Sequence, residues 1–195
     1  MNEEFRTLLR RYLTEDPDTA ARIERAIWRR FGARKAVMVV DSAGFSRLTA
    51  REGIISALAR VRDLCDAAAL LVADGGGIVV KMEADNLFAL FDEPAAAVNA
   101  GAAIQRRVGE AADVDMAVAI GIDWGRVLYI PGEDCFGEPI NVASRLGEDL
   151  AAAGQVLLSS RACRRILFQG SPAFALERRR FEVGAARIEA YALSG

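Results

Sequence analysis

The sequence predicts an α/β (α+β) domain: a ferredoxin-like βαββαβ core with extra C-terminal strands and helices, preceded by a short helical N-terminal segment. Three observations carry that expectation. Apolar runs of strand length alternate with stretches of helical periodicity in the order strand, helix, strand, strand, helix, strand. The second and third apolar runs, 78–82 and 86–91, are separated only by Glu83-Ala84-Asp85, the spacing of a hairpin. The chain has 195 residues and no internal repeat or long linker, which suits one cored domain with a small appendage.

Residues 3–13 place Phe5, Leu8, Leu9, Tyr12 and Leu13 on one helical face. Asp16-Pro17 supplies the N-cap and first position of a second helix, with Ile23, Ala26, Ile27 and Phe31 on one side and arginines on the other. Residues 1–33 are thus an amphipathic appendage that either packs on its own domain or helps two chains associate, and 34–195 form the main domain. The first core strand is 35–41. A helix over 46–73 follows, its buried face made by Leu58, Val61, Leu64, Cys65, Ala68, Leu71 and Val72. Asp74-Gly75-Gly76-Gly77 ends it. After the hairpin, Asp92-Glu93-Pro94 opens a helix with a small-residue face of Ala97, Val98, Gly101, Ile104 and Val108. Strand 116–122 completes the core, and Asp123-Trp124-Gly125 is expected to turn the chain back into a strand at 127–130. A helix over 137–150, a strand at 156–159, a helix at 161–168 and strand-like runs at 174–181 and 186–193 complete the chain.

Composition narrows the chemistry. The net charge is −2 with acid and base interspersed, so nothing marks nucleic acid as the partner. There is no run of about 18 apolar residues and the first residues are acidic, so no membrane partner is expected and the chain is read as cytoplasmic. The three cysteines, Cys65, Cys135 and Cys163, have neither disulfide nor metal-ligand spacing. The absence of histidine removes Ser-His-Asp and Cys-His catalysis and every histidine-bearing zinc site. Chemistry must rest on carboxylates, lysine or arginine, and a metal.

The apolar run 36–40 ends in Asp41, followed by the small-residue turn Ser42-Ala43-Gly44 and a helix start. A carboxylate at a buried strand tip, beside the free amides of a helix start, suits a divalent cation and the phosphates it escorts. In the ferredoxin-like order the strand ending at Asp41 lies beside the hairpin carrying Asp85, so the two carboxylates form a plausible two-metal pair.

Three segments then share a pattern. Asp41-Ser42-Ala43-Gly44-Phe45-Ser46 resembles the Asp-x-x-Gly-Phe-Thr/Ser motif of class III nucleotidyl cyclases (the adenylate/guanylate cyclase family). Lys81-Met82-Glu83-Ala84-Asp85 resembles that family's Lys-x-x-Gly-Asp hairpin. The segment from Asp134 to Arg145, with Gly137, Asn141 and Ala143, resembles its Asp-x-x-Gly-x-x-Val-Asn-x-Ala-x-Arg motif. The resemblance spans about 34–193.

It implies an adenylate cyclase that converts ATP to 3′,5′-cyclic AMP and pyrophosphate. Asp41 and Asp85, with the Ser42 carbonyl, would ligate two Mg²⁺ or Mn²⁺ ions. Ala43, Gly44, Phe45 and Ser46 would offer amides to the phosphates. Lys81 and Asp134 would read the base, Asn141 would position the ribose, and Arg145 would stabilise charge at the α-phosphate. The site would be shared across a head-to-tail homodimer. The first 33 residues hold no recognisable sensor module, so regulatory input is expected from a separate protein, from concentration-driven dimerisation, or from nothing. Lysine offers only donors and aspartate only acceptors, which matches adenine's N1 and amino group and mismatches guanine. Cytosine presents the same edge as adenine, so a cyclase of the same class acting on another nucleotide (CTP or UTP, GTP less readily) stays open. So does a catalytically weak cyclase-like module that binds a nucleotide or partner and works by dimerising. The sequence departs from the family pattern at Ala84, where glycine is usual, at Glu83, an extra carboxylate, and in the turn 183–187. Many members have a lysine in that turn and this one has none; Arg187 would substitute only if the turn is shifted.

Overall fold

The computed structural model describes residues 2–110, 116–170, 174–183 and 186–194. Strand β1 (Gly32–Ala43) lies between β3 (Asn86–Phe91) and β4 (Ala117–Ile130) and pairs antiparallel with both. Its residues Ala36, Val37, Met38, Val39 and Val40 are all buried, as a continuous apolar run requires when both faces are covered. Strand β2 (Ile78–Glu83) closes one edge by pairing with β3, giving the order β2-β3-β1-β4 of a ferredoxin-like core. Strand β6 (Val156–Ser159) adds parallel to β4, and β8 (Ala186–Ser194) and β7 (Ala175–Val183) extend the mixed sheet antiparallel beyond it. The short β5 (Asp134–Phe136) pairs with the end of β4. The expected fold class is the one observed.

Alternation along β1 divides the core between two faces. Met38 and Val40 point into the larger cluster, beneath α4 (Ile54–Asp74), α5 (Pro94–Glu110) and α7 (Ser160–Gln169). Val37 and Val39 point the other way, where they meet Phe88, Leu90, Val127, Cys135 and Ala143 of α6 (Glu138–Ser144). Asp41 continues this second series, so the candidate carboxylate emerges on the face that carries α6.

Two elements differ from expectation. The helix over 46–73 is two helices, α3 (Phe45–Glu52) and α4, broken at Gly53, whose φ of 86° lies in the region favouring glycine. No turn occurs at 123–125. Strand β4 runs through that segment, registered with β1 from Ala43↔Ala117 to Gly32↔Leu128. Asp123 is wholly buried there and bonded to Ser159 and Arg161, and Trp124 packs against the larger cluster. Tertiary burial overrides the local turn signal.

Helix α6 continues into a π-helical turn, Arg145–Leu150. The segment lies very close to the sheet because two glycines face each other. A Cβ on Gly121 would sit 2.0 Å from the Ala143 carbonyl oxygen and 2.5 Å from the Gly147 amide. One on Gly147 would sit 3.0 Å from the Gly121 nitrogen.

The N-terminal helices, α1 (Glu3–Thr14) and α2 (Pro17–Phe31), pack on their own domain. Asp16 caps α2 by accepting from the Asp18 and Thr19 amides. Phe5, Ile23, Ile27 and Phe31 bury against Ile130, and the Phe5 ring stacks on Phe136 of β5 at 6.1 Å. Leu9, Tyr12 and Leu13 remain exposed. No described helix is long and apolar enough to cross a membrane.

The close seat of α6 gives a direct test. Gly121→Ala should lower stability by about 3 kcal/mol in denaturant unfolding, the cost of overpacking where backbone must give way. A loss below about 1 kcal/mol would show that the helix does not rest on this glycine.

Candidate active site

The first cluster forms where β1 meets the β2–β3 hairpin. Asp41 is registered with Asn86 at the start of β3, and the buried Ser42 hydroxyl donates to the Asp85 carbonyl at 3.1 Å. That bond ties the hairpin tip to the strand end and brings Asp85 beside Asp41. Burial pushes the Asp41 carboxyl up to about 6, and the charges of Asp85 and Glu148 add to the effect. Glu148, on the π-helical turn, is a third acid that sequence reasoning missed. It accepts from the Asn86 side-chain amide at 3.1 Å, and burial, with Asp149 and Asp85 nearby, raises its pKa as well. Only its position three residues after Arg145 could have drawn attention to it.

Among the described residues no three acidic, cysteine or histidine side chains meet closely enough to form a complete metal cage. The donor set instead fits a hard cation bound by two carboxylates and completed by substrate phosphates, the usual arrangement for Mg²⁺. Repulsion between half-buried carboxylates gives such a cation its driving force.

The phosphate-facing turn follows directly. Ala43 ends β1, and Gly44 takes φ 110° as the N-cap of α3 without any side-chain cap bond. The first-turn amides of Phe45 and Ser46 therefore have no capping side chain, which leaves them for an anion.

The second cluster centres on Lys81. Strand β2 shifts register between Val79 and Lys81, a bulge that re-aims the lysine across Phe88. Its ammonium lies 5.0 Å from the Phe88 ring centroid, 3.2 Å from Asp134 and 3.1 Å from Glu83. Burial pulls the Lys81 pKa down, but bonds to Glu83 and Asp134 outweigh it and the net shift is upward. Asp134 opens β5 and also accepts from the Cys135 amide at 2.8 Å. The expected base-reading pair is thus together, and Glu83 joins this pair. Burial raises the Cys135 thiol to about 11, so it is no nucleophile at neutral pH.

Asn141 and Arg145 stand apart. Both are exposed on α6 and its extension, with no side-chain hydrogen bond or ion pair among the described residues. The charges acting on Asp41 are Asp85 and Glu148, and Arg145 is not one of them.

The departures at the sequence level also have locations. Ala84 has φ 51°, the one positive φ at a non-glycine among the described residues, at the first tip position of a two-residue hairpin. That position ordinarily takes glycine or asparagine, and alanine there costs about 1 kcal/mol. Arg187 lies across from Glu182 on the β7–β8 hairpin and pairs with it at 3.8 Å. The intervening residues 184 and 185 lie outside the described residues.

No protein-family model matches the sequence, and no curated protein matches it. Solved structures do. The adenylyl cyclase CyaB from P. aeruginosa aligns with a TM-score of 0.68 at 18% identity, covering 84% of this chain and 96% of that one. The guanylate cyclase domain of RhGC from Catenaria anguillulae, in complex with GTP, gives 0.70 at 19% identity over 83% and 96%. An adenylate/guanylate cyclase/hydrolase from Silicibacter pomeroyi gives 0.61 at 26% identity over 84% and 98%. These neighbours are class III adenylyl and guanylyl cyclase catalytic domains, and the chain shares their fold over most of its length.

The Asp41 environment predicts an inverted pH response. The folded chain holds the Asp41 proton up to about pH 6, whereas a free aspartate loses it near 3.8. Stability from this group therefore falls as pH rises through that window and stays low above it. Without divalent cations, Asp41→Asn should melt above wild type at pH 8, by roughly 2–4 °C per kcal/mol relieved, and match it near pH 3.5. Mn²⁺ should raise the wild-type Tm and leave the variant unmoved. A variant that melts below wild type at pH 8 would contradict this.

Proposed function

We propose that the chain is a nucleotidyl cyclase, and specifically an adenylate cyclase forming 3′,5′-cyclic AMP and pyrophosphate from ATP. The observation that carries the reading is the Asp41–Asp85 pair, half-buried at the join of β1 and the hairpin, with no cation among the described residues offsetting Asp41. Two divalent ions held there, with the Ser42 carbonyl, would lower the pKa of the ribose 3′-hydroxyl and neutralise the departing pyrophosphate.

The chain's own residues perform the remaining tasks. Amides of Ala43, Gly44, Phe45 and Ser46 receive the phosphates at the uncapped start of α3. Lys81 donates to adenine N1 and Asp134 accepts from the 6-amino group, so base entry replaces their direct 3.2 Å contact with a matched edge. Guanine would leave both groups mismatched, at a cost that excludes it strongly. Asn141 orients the ribose, and Arg145 meets the charge that grows on the α-phosphate. Their exposure and separation from the Asp41 cluster support a site completed between two copies of the chain, one supplying the acidic pair and the other Lys81, Asp134, Asn141 and Arg145. The absence of a membrane-crossing helix among the described residues is compatible with the cytoplasmic assignment.

A second reading rests on the same Lys81–Asp134 edge: cytosine matches it too, so CTP competes with ATP for this assignment. Incubating the purified protein with Mn²⁺ and each of ATP, GTP, CTP and UTP, and identifying products by mass, decides between them. Cyclic AMP should dominate, and Arg145→Ala should lower turnover by about 100- to 1,000-fold, as expected for losing one transition-state donor. Cyclic CMP in excess would overturn the adenine reading, and no cyclic product from any nucleotide would overturn the enzymatic one.

A further inference from the structure

Away from both clusters, a shallow cleft of about 390 Å³ opens between the start of β1, the middle of β4 and the outer side of α7. Five arginines line it (Arg34, Arg126, Arg161, Arg164 and Arg165), with Trp124 and Phe168 and no acidic residue. Such a density of guanidinium groups is unexpected in a chain whose net charge is −2.

The cations fall into two sets. Arg161 is spent on Asp123 and Glu138, and Arg165 on Glu93. Neighbouring Lys35 is likewise taken by Asp92. Arg34, Arg126 and Arg164 are exposed and have no carboxylate partner among the described residues. Asp123, Glu138 and Glu93 are engaged by the inner set; Glu24 shares the adjoining groove with Arg126 but is not ion-paired to it.

Two of those three are forced together by the sheet. Arg34 and Arg126 are directly opposite in the β1–β4 register. Like charges in that relation destabilise an antiparallel pair unless an anion bridges them. The Arg126 guanidinium is fixed over the Trp28 indole at 4.2 Å, so it cannot simply swing away without losing that contact. Phe168, 83% exposed on the rim, leaves an open aromatic face beside the cations.

We propose that this cleft is a binding site for an oligophosphate anion, separate from the candidate active site, with Arg34, Arg126 and Arg164 as its phosphate ligands. Arg34, Arg126 and Arg164, on three different elements, line one concavity, and planar guanidinium groups match phosphate oxygens bidentately. The anion is either a free oligophosphate or the phosphate tail of a nucleotide whose base stacks on Phe168.

The chain supplies its own reporter. Its two tryptophans are Trp28, under Arg126, and Trp124, in the cleft wall. Tripolyphosphate, ATP and adenosine are titrated separately against intrinsic fluorescence in EDTA and at low salt. The expected result is a saturable change with tripolyphosphate and ATP, none with adenosine, and an affinity at least tenfold weaker in the Arg34→Gln/Arg164→Gln double variant. That variant leaves both tryptophan contacts intact and alters only exposed side chains. Asp41→Ala should titrate as wild type, which separates this site from the acidic cluster. Tighter binding of ATP than of tripolyphosphate assigns the nucleotide as the source, and equal affinities assign the free anion. No saturable change with tripolyphosphate, or an unchanged affinity in the double variant, overturns the proposal.

Discussion

The constraint on which the site depends is the forced proximity of two carboxylates. Asp41 lies in β1 directly after five strand residues that are buried, so its position is set by the core. Asp85 is set by a hairpin whose tip is bonded to Ser42, the residue next to Asp41. Neither residue's backbone can shift without breaking sheet pairing or leaving the Ser42 hydroxyl unpaired. The fold therefore holds Asp41 where burial first, and the neighbouring acids second, favour its protonated form. In the proposed function a cation and a polyphosphate would relieve the repulsion among these acids, the acidic pair and the uncapped start of α3 serving one kind of ligand.

A second constraint concerns distance rather than charge. Gly121 and Gly147 let α6 and its π-helical extension lie against the sheet backbone. The π-helical turn then sends Glu148 toward Asn86 while Arg145 stays exposed. Such irregular turns are frequent at functional sites because they rotate successive side chains out of simple helical register. Here one short segment presents an acid to its own chain's hairpin and a free guanidinium to the surroundings. This division is the structural basis for expecting two copies of the chain to cooperate.

Much of this was legible from local patterns. The run 36–40, the hairpin, the Asp16 cap and the glycine stop after Asp74 all depend on nearest neighbours, and each lies where the sequence placed it. The strain at Ala84 was visible as a departure from a motif that expects glycine. What could not be read arises from long-range contacts. The turn signal at Asp123-Trp124-Gly125 fails because Arg161, far along the chain, neutralises Asp123 within the core. Glu148 and Asn86 meet only because α6 crosses the sheet at two glycines. The capture of Lys81 by Glu83 depends on a bulge that no periodicity reveals.

In the proposed site the acidic pair and the Arg145 guanidinium act on one substrate from different copies of the chain. The most direct measurement mixes two inactive, folded variants, Asp41→Ala and Arg145→Ala, and follows cyclic nucleotide formation. The mixture should recover part of the activity each variant lacks, because a mixed dimer contains one site with neither lesion. If both variants dimerise and exchange subunits yet the mixture stays as inactive as its components, the shared site is contradicted.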